Sequence, residues 1–286
     1  HSWYRRQRQM CIRDRIYDDE FVARLTENAG LEAFSGGVFV PTMGGLHEGH
    51  LELVRTAKRL GRPVVVSVFV NPDQFNNQED FAGYPRRFEV DAGLAESAGA
   101  DVVWGPTQQD IYPDEVDVPT PDLPSVATNP GLEDAHRPGH FAGVARVVQR
   151  LFDLVQPKVA VFGEKDWQQL QLVQAMVSRD GGPRIHAVPT SREANGLARS
   201  SRNERLSDAS RQKARAVYLA LQAAAAANHP STAEKMMRDT LESHGLEVEY
   251  AVVRSAAGLR PVNDFSRPSR ALVAAWLDGV LSLIHI

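Results

Sequence analysis

The sequence predicts a doubly wound α/β fold on a parallel sheet, with a smaller α+β domain toward its C-terminal end. Three observations carry this. Apolar, β-rich runs alternate with amphipathic helical stretches up to about residue 190 of the 286, as repeated strand–helix–strand units do. The runs themselves, such as "RPVVVSVFV" (62–70), are almost continuously apolar, as strands covered on both faces are. Beyond about 190 the alternation stops, and helices are followed by strands.

Taken in order, "GGVFVP" (36–41) reads as a strand ended by Pro-Thr. "EGHLELVRTAKRL" (48–60) sets Leu51, Val54 and Ala57 on one face with basic residues opposite, an amphipathic helix. With the strand at 62–70 these make a βαβ unit whose crossover is right-handed. "RRFEVDAGLAESAG" reads as a helix and "ADVVWG" as a strand. A helical stripe of Phe141, Val144, Val148, Leu151 and Val155 runs through 140–155. "KVAVFG" (158–163) is a strand, "DWQQLQLVQAMVSR" a helix and "RIHAVPT" (184–190) a strand. Residues 16–190 are thereby read as one Rossmann-like domain. Within it, the proline-rich, acidic stretch 106–131 is too long for an ordinary connection and reads as a functional or covering excursion. Then "SREANGLARSSRNERLS" is loop-like, helices occupy 208–227 and 231–244, and "EVEYAVVRS" and "RALVAAWLDGV" are strands. These give a second α+β domain over 191–280.

Composition narrows the function classes. The chain is 43% hydrophobic and 24% charged, with a single cysteine, Cys11, so it has no disulfide framework and no cysteine-rich metal site. No apolar stretch approaches the roughly 18 residues of a membrane span, and no secretory segment opens the chain, which sets the expectation of a soluble cytoplasmic protein. "MCIRDR" (10–15) and the final "LSLIHI" (281–286) can be encoded by one short DNA string read on opposite strands. That is the pattern of a translated library adapter, so 1–15 and 281–286 are set aside from fold reasoning. Without the five arginines and one aspartate of 1–15, the net charge of −4 becomes −8. Nucleic acid is then not an expected partner, and phosphate must be met locally.

Ligands of an open parallel sheet bind beyond the carboxyl ends of its strands. That rule brings together "TMGGLHEGH", "NPDQF", "GEKD" and "SREANGLARSSR". Gly44 and Gly45 let the backbone turn with no side chain in the way of a ligand. His47 and His50, three apart at a helix start, share a face. Free backbone amides there, with imidazole N–H groups, would cradle a phosphate that gains charge during reaction. A zinc protease needs histidines four apart, and neither the Walker lysine nor G-x-G-x-x-G is present. Lys165 suits a phosphate and Asp166 a ribose hydroxyl or metal-bound water. Ser200, Ser201 and Arg202 suit triphosphate oxygens, and the amides of Gln74 and Gln169 a small hydroxy acid. Taken singly, "GEKD" is more often a solvated turn, "SSRN" a common loop and each glutamine a surface residue; convergence on one edge singles them out.

"PTMGGLHEGH", "VSVFVNPDQF", "YPR", "RPGHFAGV", "FGEKDWQQLQLV" and "GLARSSRN" stand in an order and spacing that resemble the pantothenate synthetase (pantoate–β-alanine ligase) family of H-x-G-H nucleotidyltransferases. The resemblance runs from about 36 to 210 and more weakly to 280. It implies that ATP and pantoate give pantoyl adenylate and pyrophosphate, and that β-alanine then displaces AMP. It further implies that His47 and His50 bind ATP phosphates, with His50 as proton donor, and that Lys165 and Arg202 grip the phosphates with Mg²⁺ bridging. The ATP site would include Met43, Gly44, Gly45, Leu46, Glu48, Gly49, Glu164, Ser191, Arg199, Ser200 and Ser201, with Gly163 and Asp166 at the ribose. Gln74 and Gln169 would hold pantoate, with Asn71, Tyr84 and Arg137 completing the pantoate/β-alanine pocket. "RSSR" would close as a lid, and the protein would be a homodimer with neither a metal site of its own nor a tightly bound organic cofactor. Departures from the family pattern are Arg199 for a methionine, Asn195 for an aspartate, Ser191 for a valine and Trp167 for a tyrosine, and "GVLSLIHI" stands where "GVRLIDN" would continue. Two other readings stay open at this point: a nucleotidylyltransferase releasing a stable adenylylated product, and a nucleotide-binding homologue with impaired catalysis.

Overall fold

The structure, a computed structural model, describes residues 22–285; the adapter-like segment at 1–15 lies outside them. The larger unit runs β1 (Ala23–Leu25), β2 (Val38–Thr42), α1 (Glu48–Leu60), β3 (Val64–Val68), α2 (Phe88–Ala98), β4 (Val102–Trp104), α3 (His140–Val155), β5 (Val159–Gly163), α4 (Trp167–Asp180) and β6 (Arg184–Val188). Its six strands form one parallel sheet in the order β1-β4-β3-β2-β5-β6.

Both faces of this sheet are covered, which is why its strands read as unbroken apolar runs. Val38, Val40, Val64 and Val66 pack against Leu51, Val54 and Ala57 of α1 and Ala92 and Ala95 of α2. Phe39, Val65, Val102 and Trp104 face α3 and α4 through Phe141, Val148, Leu151, Leu170 and Val173. Each valine, leucine or phenylalanine among them contributes roughly 1.5–3 kcal/mol on burial. The excursion at 106–131 covers this second face, with Ile111, Val126 and Ala127 in the same cluster. Gln168, fully buried on α4, anchors it by donating to the Val126 carbonyl and accepting from the Glu133 amide.

After β6 come α5 (Asp208–Ala214), α6 (Ala216–Ala225), α7 (Pro230–Ser243), β7 (Glu247–Ser255), β8 (Ser269–Leu277) and β9 (Val280–His285), the strands forming an antiparallel sheet. Tyr250, Leu272 and Ala274 on one face join the main core. Ala251, Val253, Val273 and Ala275 on the other pack on the helices.

Three elements differ from expectation. β1 is an edge strand of three residues, too short to show a period, and pairs Ala23 with Val102. The stretch 208–227 divides at Arg215 into α5 and α6. The segment 281–286, set aside as an adapter, takes part in the fold as far as residue 285. The chain turns at Asp278-Gly279, both at positive φ (50° and 73°), and β9 returns along β8 from Leu277↔Val280 to Leu272↔His285. Asp-Gly with both φ positive is a hairpin turn, and β9 covers a backbone edge that β8 would otherwise expose.

One close approach ties the fold to the site. The 3-10 turn Pro72–Gln74 lies on α3 at Gly143, where an added Cβ would stand inside contact distance of the Asp73 carbonyl and 2.8 Å from the Gln74 nitrogen. Gly143→Ala should therefore lower the urea midpoint, by about 1–3 kcal/mol in stability, although alanine gains roughly 1 kcal/mol over glycine in a helix. A midpoint equal to or above that of the parent would show that the turn yields freely.

Candidate active site

β2 and β5 are neighbours whose onward connections run in opposite directions, to β3 and to β6, which opens a crevice between them at the carboxyl edge. A cavity of about 570 Å³ occupies it, within the range of small-molecule sites. Met43, His47, Gly49 and His50 line it after β2, and Asn71, Gln74 and Tyr84 after β3. Gly163 ends β5 and Lys165, Asp166 and Gln169 follow it, and Ser191, Arg199, Ser200, Ser201 and Arg202 follow β6. Arg137 lines it from the excursion side, with Gly279 and Leu281 from the β8–β9 hairpin.

Gly44 (φ 87°) and Gly45 (φ 60°) are left-handed, where a Cβ is strained. The Gly45 and Leu46 amides donate to Asp91 Oδ2 and Oδ1 at 3.0 and 2.8 Å. Asp91, 1% exposed, sits in the first turn of α2. The Gly44 amide donates to Thr42 Oγ1 (3.3 Å). His47 caps α1: its Nδ1 accepts from the Gly49 amide (3.1 Å), while its own amide donates to His50 Nδ1 (3.3 Å). The His50 amide donates to the His47 carbonyl. The expected cradle of free amides is thus absent at Gly44 to His47, Gly49 and His50, because the turn consumes those donors internally. Gly44, Gly45, Leu46, Glu48 and Glu164 accordingly stand off the cavity wall. Leu46 is in the core, Glu48 pairs with Arg55 and Glu164 accepts from Arg270.

The donors that face the cavity are imidazoles. A ring nitrogen that accepts from an amide carries no proton, so neutral His47 and His50 both hold theirs on Nε2. The rings lie 4.1 Å apart between centroids. Burial, then Lys165 and Arg199, pull the His47 pKa down to about 4. Burial, then His47 and Lys165, pull His50 down to about 3. At neutral pH of the ligand-free protein, both rings are therefore uncharged, and each can donate through Nε2.

Most cations here are matched by carboxylates that sequence reasoning did not single out. Arg202 and Arg205 donate to the two oxygens of Asp80 at 3.0 and 2.6 Å. Arg137 bridges Glu133 (2.8 Å) and Glu249 (2.7 Å). Burial raises the Glu133 pKa, while Arg137 and the Tyr250 hydroxyl oppose the shift. Lys165 Nζ lies 3.2 Å from Asp166 Oδ1. Gln74 Nε2 rests 2.6 Å from Met43 Sδ, Asn71 Nδ2 donates to the Gly143 carbonyl, and the Tyr84 hydroxyl is 3.5 Å from Ser201 Oγ. Asp80 and Asp91 flank the quoted "YPR", and only their partners reveal their importance.

Fold and site together define an α/β protein with a cavity at its topological switch point, lined by His47, His50, Lys165 and four arginines. Comparison with known proteins sharpens that class. The sequence model described as Pantoate-beta-alanine ligase matches residues 22–285. A pantothenate synthetase from Novosphingobium aromaticivorans is 45% identical over 254 residues, 84% of this chain and 87% of the relative. The crystal structure of pantothenate synthetase from Thermus thermophilus superposes with a TM-score of 0.88 at 39% identity, covering 93% of this chain and 99% of that one. A pantoate-beta-alanine ligase from Francisella tularensis, complexed with beta-gamma ATP and beta-alanine, gives 0.77 at 29% identity, covering 93% and 97%. This chain belongs to the pantoate–β-alanine ligase family.

The depressed histidines carry a pH signature. An unfolded histidine titrates near 6.5, so the native state binds fewer protons than the unfolded one between about pH 4 and 6.5. The stability at stake is full above 6.5 and falls as pH drops toward 4. His47→Asn keeps an N-cap acceptor without the titration. Its urea midpoint should fall less from pH 7 to pH 5 than that of the parent; equal falls would contradict the assignment.

Proposed function

We propose that this chain is a pantoate–β-alanine ligase in which the cavity serves both half-reactions. In the first, a pantoate carboxylate oxygen bonds to the α-phosphorus of ATP and the bond to the β-phosphate oxygen breaks, releasing pyrophosphate. In the second, the β-alanine amine bonds to the acyl carbon, the acyl–oxygen bond breaks, and AMP leaves as the amine loses its proton. Attacking and leaving groups are all anionic in the first step, so the need is for donors and positive charge around the α-phosphate rather than a side-chain nucleophile. The observation that carries this reading is the meeting of His47, His50, Lys165, Arg199 and Arg202, from three separate strand ends, around one cavity.

In this reading the Nε2–H groups of His47 and His50 donate to phosphate oxygens, and Lys165 and Arg202 add charge. Gly163 and Asp166 face the ribose. Gln74 and Gln169 hold pantoate without adding charge, and Asn71 and Tyr84 shape the pocket. Arg137, held by Glu133 and Glu249, acts as a wall more than as a free cation. Among the described residues no group of three or more His, Cys, Asp or Glu side chains is arranged to hold a metal, and Mg²⁺ enters as part of the MgATP substrate. Ser200–Arg202, facing Asp80 and Tyr84 across the mouth, close over the acyl adenylate and keep water from it. No helix among the described residues is long and apolar enough to cross a membrane, and we place the enzyme in the cytoplasm as a homodimer.

The test is AMP formation from ATP and pantoate with and without β-alanine. AMP should appear at steady state only with the amine. AMP release indifferent to it, or ATP binding without pyrophosphate release, would contradict the reading. His50→Ala should slow pyrophosphate release by about 10²–10³; an unchanged rate would remove His50 from the mechanism.

A further inference from the structure

Among the described residues five lysine and arginine side chains line the cavity, and four of them are paired: Lys165 with Asp166, Arg137 with Glu133 and Glu249, and Arg202 and Arg205 with Asp80. Arg199 is different. Among the described residues its guanidinium has no ion pair or hydrogen bond, and its Nε is buried without a partner. Its position is nonetheless fixed. Its amide donates to the Ser191 carbonyl at 3.0 Å, and its Cβ stands 3.5 Å from where a Cβ on Gly49 would be, beside the first turn of α1. The carboxylate that feels its charge, Glu48, is itself paired with Arg55, so the half-buried Arg199 guanidinium has no ion pair of its own. An anionic ligand in the cavity would supply one.

Resting on the ligase reading, we propose that Arg199 is the resident anchor of the ATP polyphosphate, whereas Arg202 is held by Asp80 and reaches phosphate only by exchanging that carboxylate for it. The two guanidiniums then contribute unequally to binding. At Arg199 an anion meets an unpaired charge and the whole gain is realised. At Arg202 one anion replaces another, and the gain is a difference. Asp80 is a competitor of ATP in this scheme, and its removal should tighten binding.

Calorimetric titration of the full chain with MgATP, and separately with magnesium pyrophosphate, in the absence of pantoate tests this. Arg199→Met should raise both dissociation constants by about tenfold, the loss of one charge-assisted contact. Arg199→Lys should recover part of the affinity, and Asp80→Asn should lower the ATP constant below that of the parent. Arg199→Gln, with the same expected loss, serves if the methionine variant does not fold. Unchanged constants in the folded Arg199→Met or Arg199→Gln protein would overturn the proposal, as would weaker ATP binding in Asp80→Asn. The ligase reading fails separately, if the parent binds ATP but shows no β-alanine-dependent AMP.

Discussion

The amides of Gly45 and Leu46 donate to the buried carboxylate of Asp91, and the turn they fix decides which groups are left to meet a ligand. Hydrogen bonds to a charged acceptor are each worth roughly 1.5–3 kcal/mol, enough to hold two glycines in the left-handed region. With the turn set, His47 falls at the N-cap of α1 and His50 one turn on, each tied through Nδ1 to a backbone amide. The outward-facing donors are then the two Nε2–H groups. The amides that a helix N-terminus usually leaves free are here bonded within the turn, and imidazoles line the cavity in their place.

A second constraint is charge balance. The chain is acidic overall, yet its cavity gathers Lys165, Arg137, Arg199, Arg202 and Arg205. Carboxylates hold most of these in place: Asp80 from before "YPR", Glu249 from β7 and, one helical turn from Arg137, Glu133. Two of these contacts join the α+β unit to the larger one, as Arg137 pairs with Glu249 and the Tyr250 hydroxyl donates to Glu133. Packing of the small sheet and positioning of Arg137 are therefore one problem. Arg202 and Arg205 likewise share Asp80, so the charge at the mouth of the cavity is neutralised within the chain.

Much of this is legible in the sequence because periodicity and burial agree. The helices at 48–60 and 140–155 fall on their expected residues, and the valine-rich strands sit inside a sheet covered on both faces. The convergence of loops follows from strand order and the switch-point rule, which needs no side-chain detail. Partners are what the sequence hides. Nothing local marks Asp91 as the acceptor for a turn 45 residues earlier, or Asp80 as the partner of Arg202, because long-range pairing leaves no period. The free-amide cradle expected of "GGLHEGH" fails on hydrogen-bond accounting. β1 is too short to show a pattern. β9 coincides with "LSLIHI", whose adapter-like coding masks a hairpin that "LDGV" signals.

The claim on which the site rests is the protonation state of two rings, and long-range ¹⁵N–¹H correlation spectra of the histidine side chains near neutral pH read it directly. Both His47 and His50, assigned by single replacement, should show neutral rings protonated on Nε2. Rings protonated on Nδ1, or a doubly protonated imidazolium at either position in the ligand-free protein, would contradict the account.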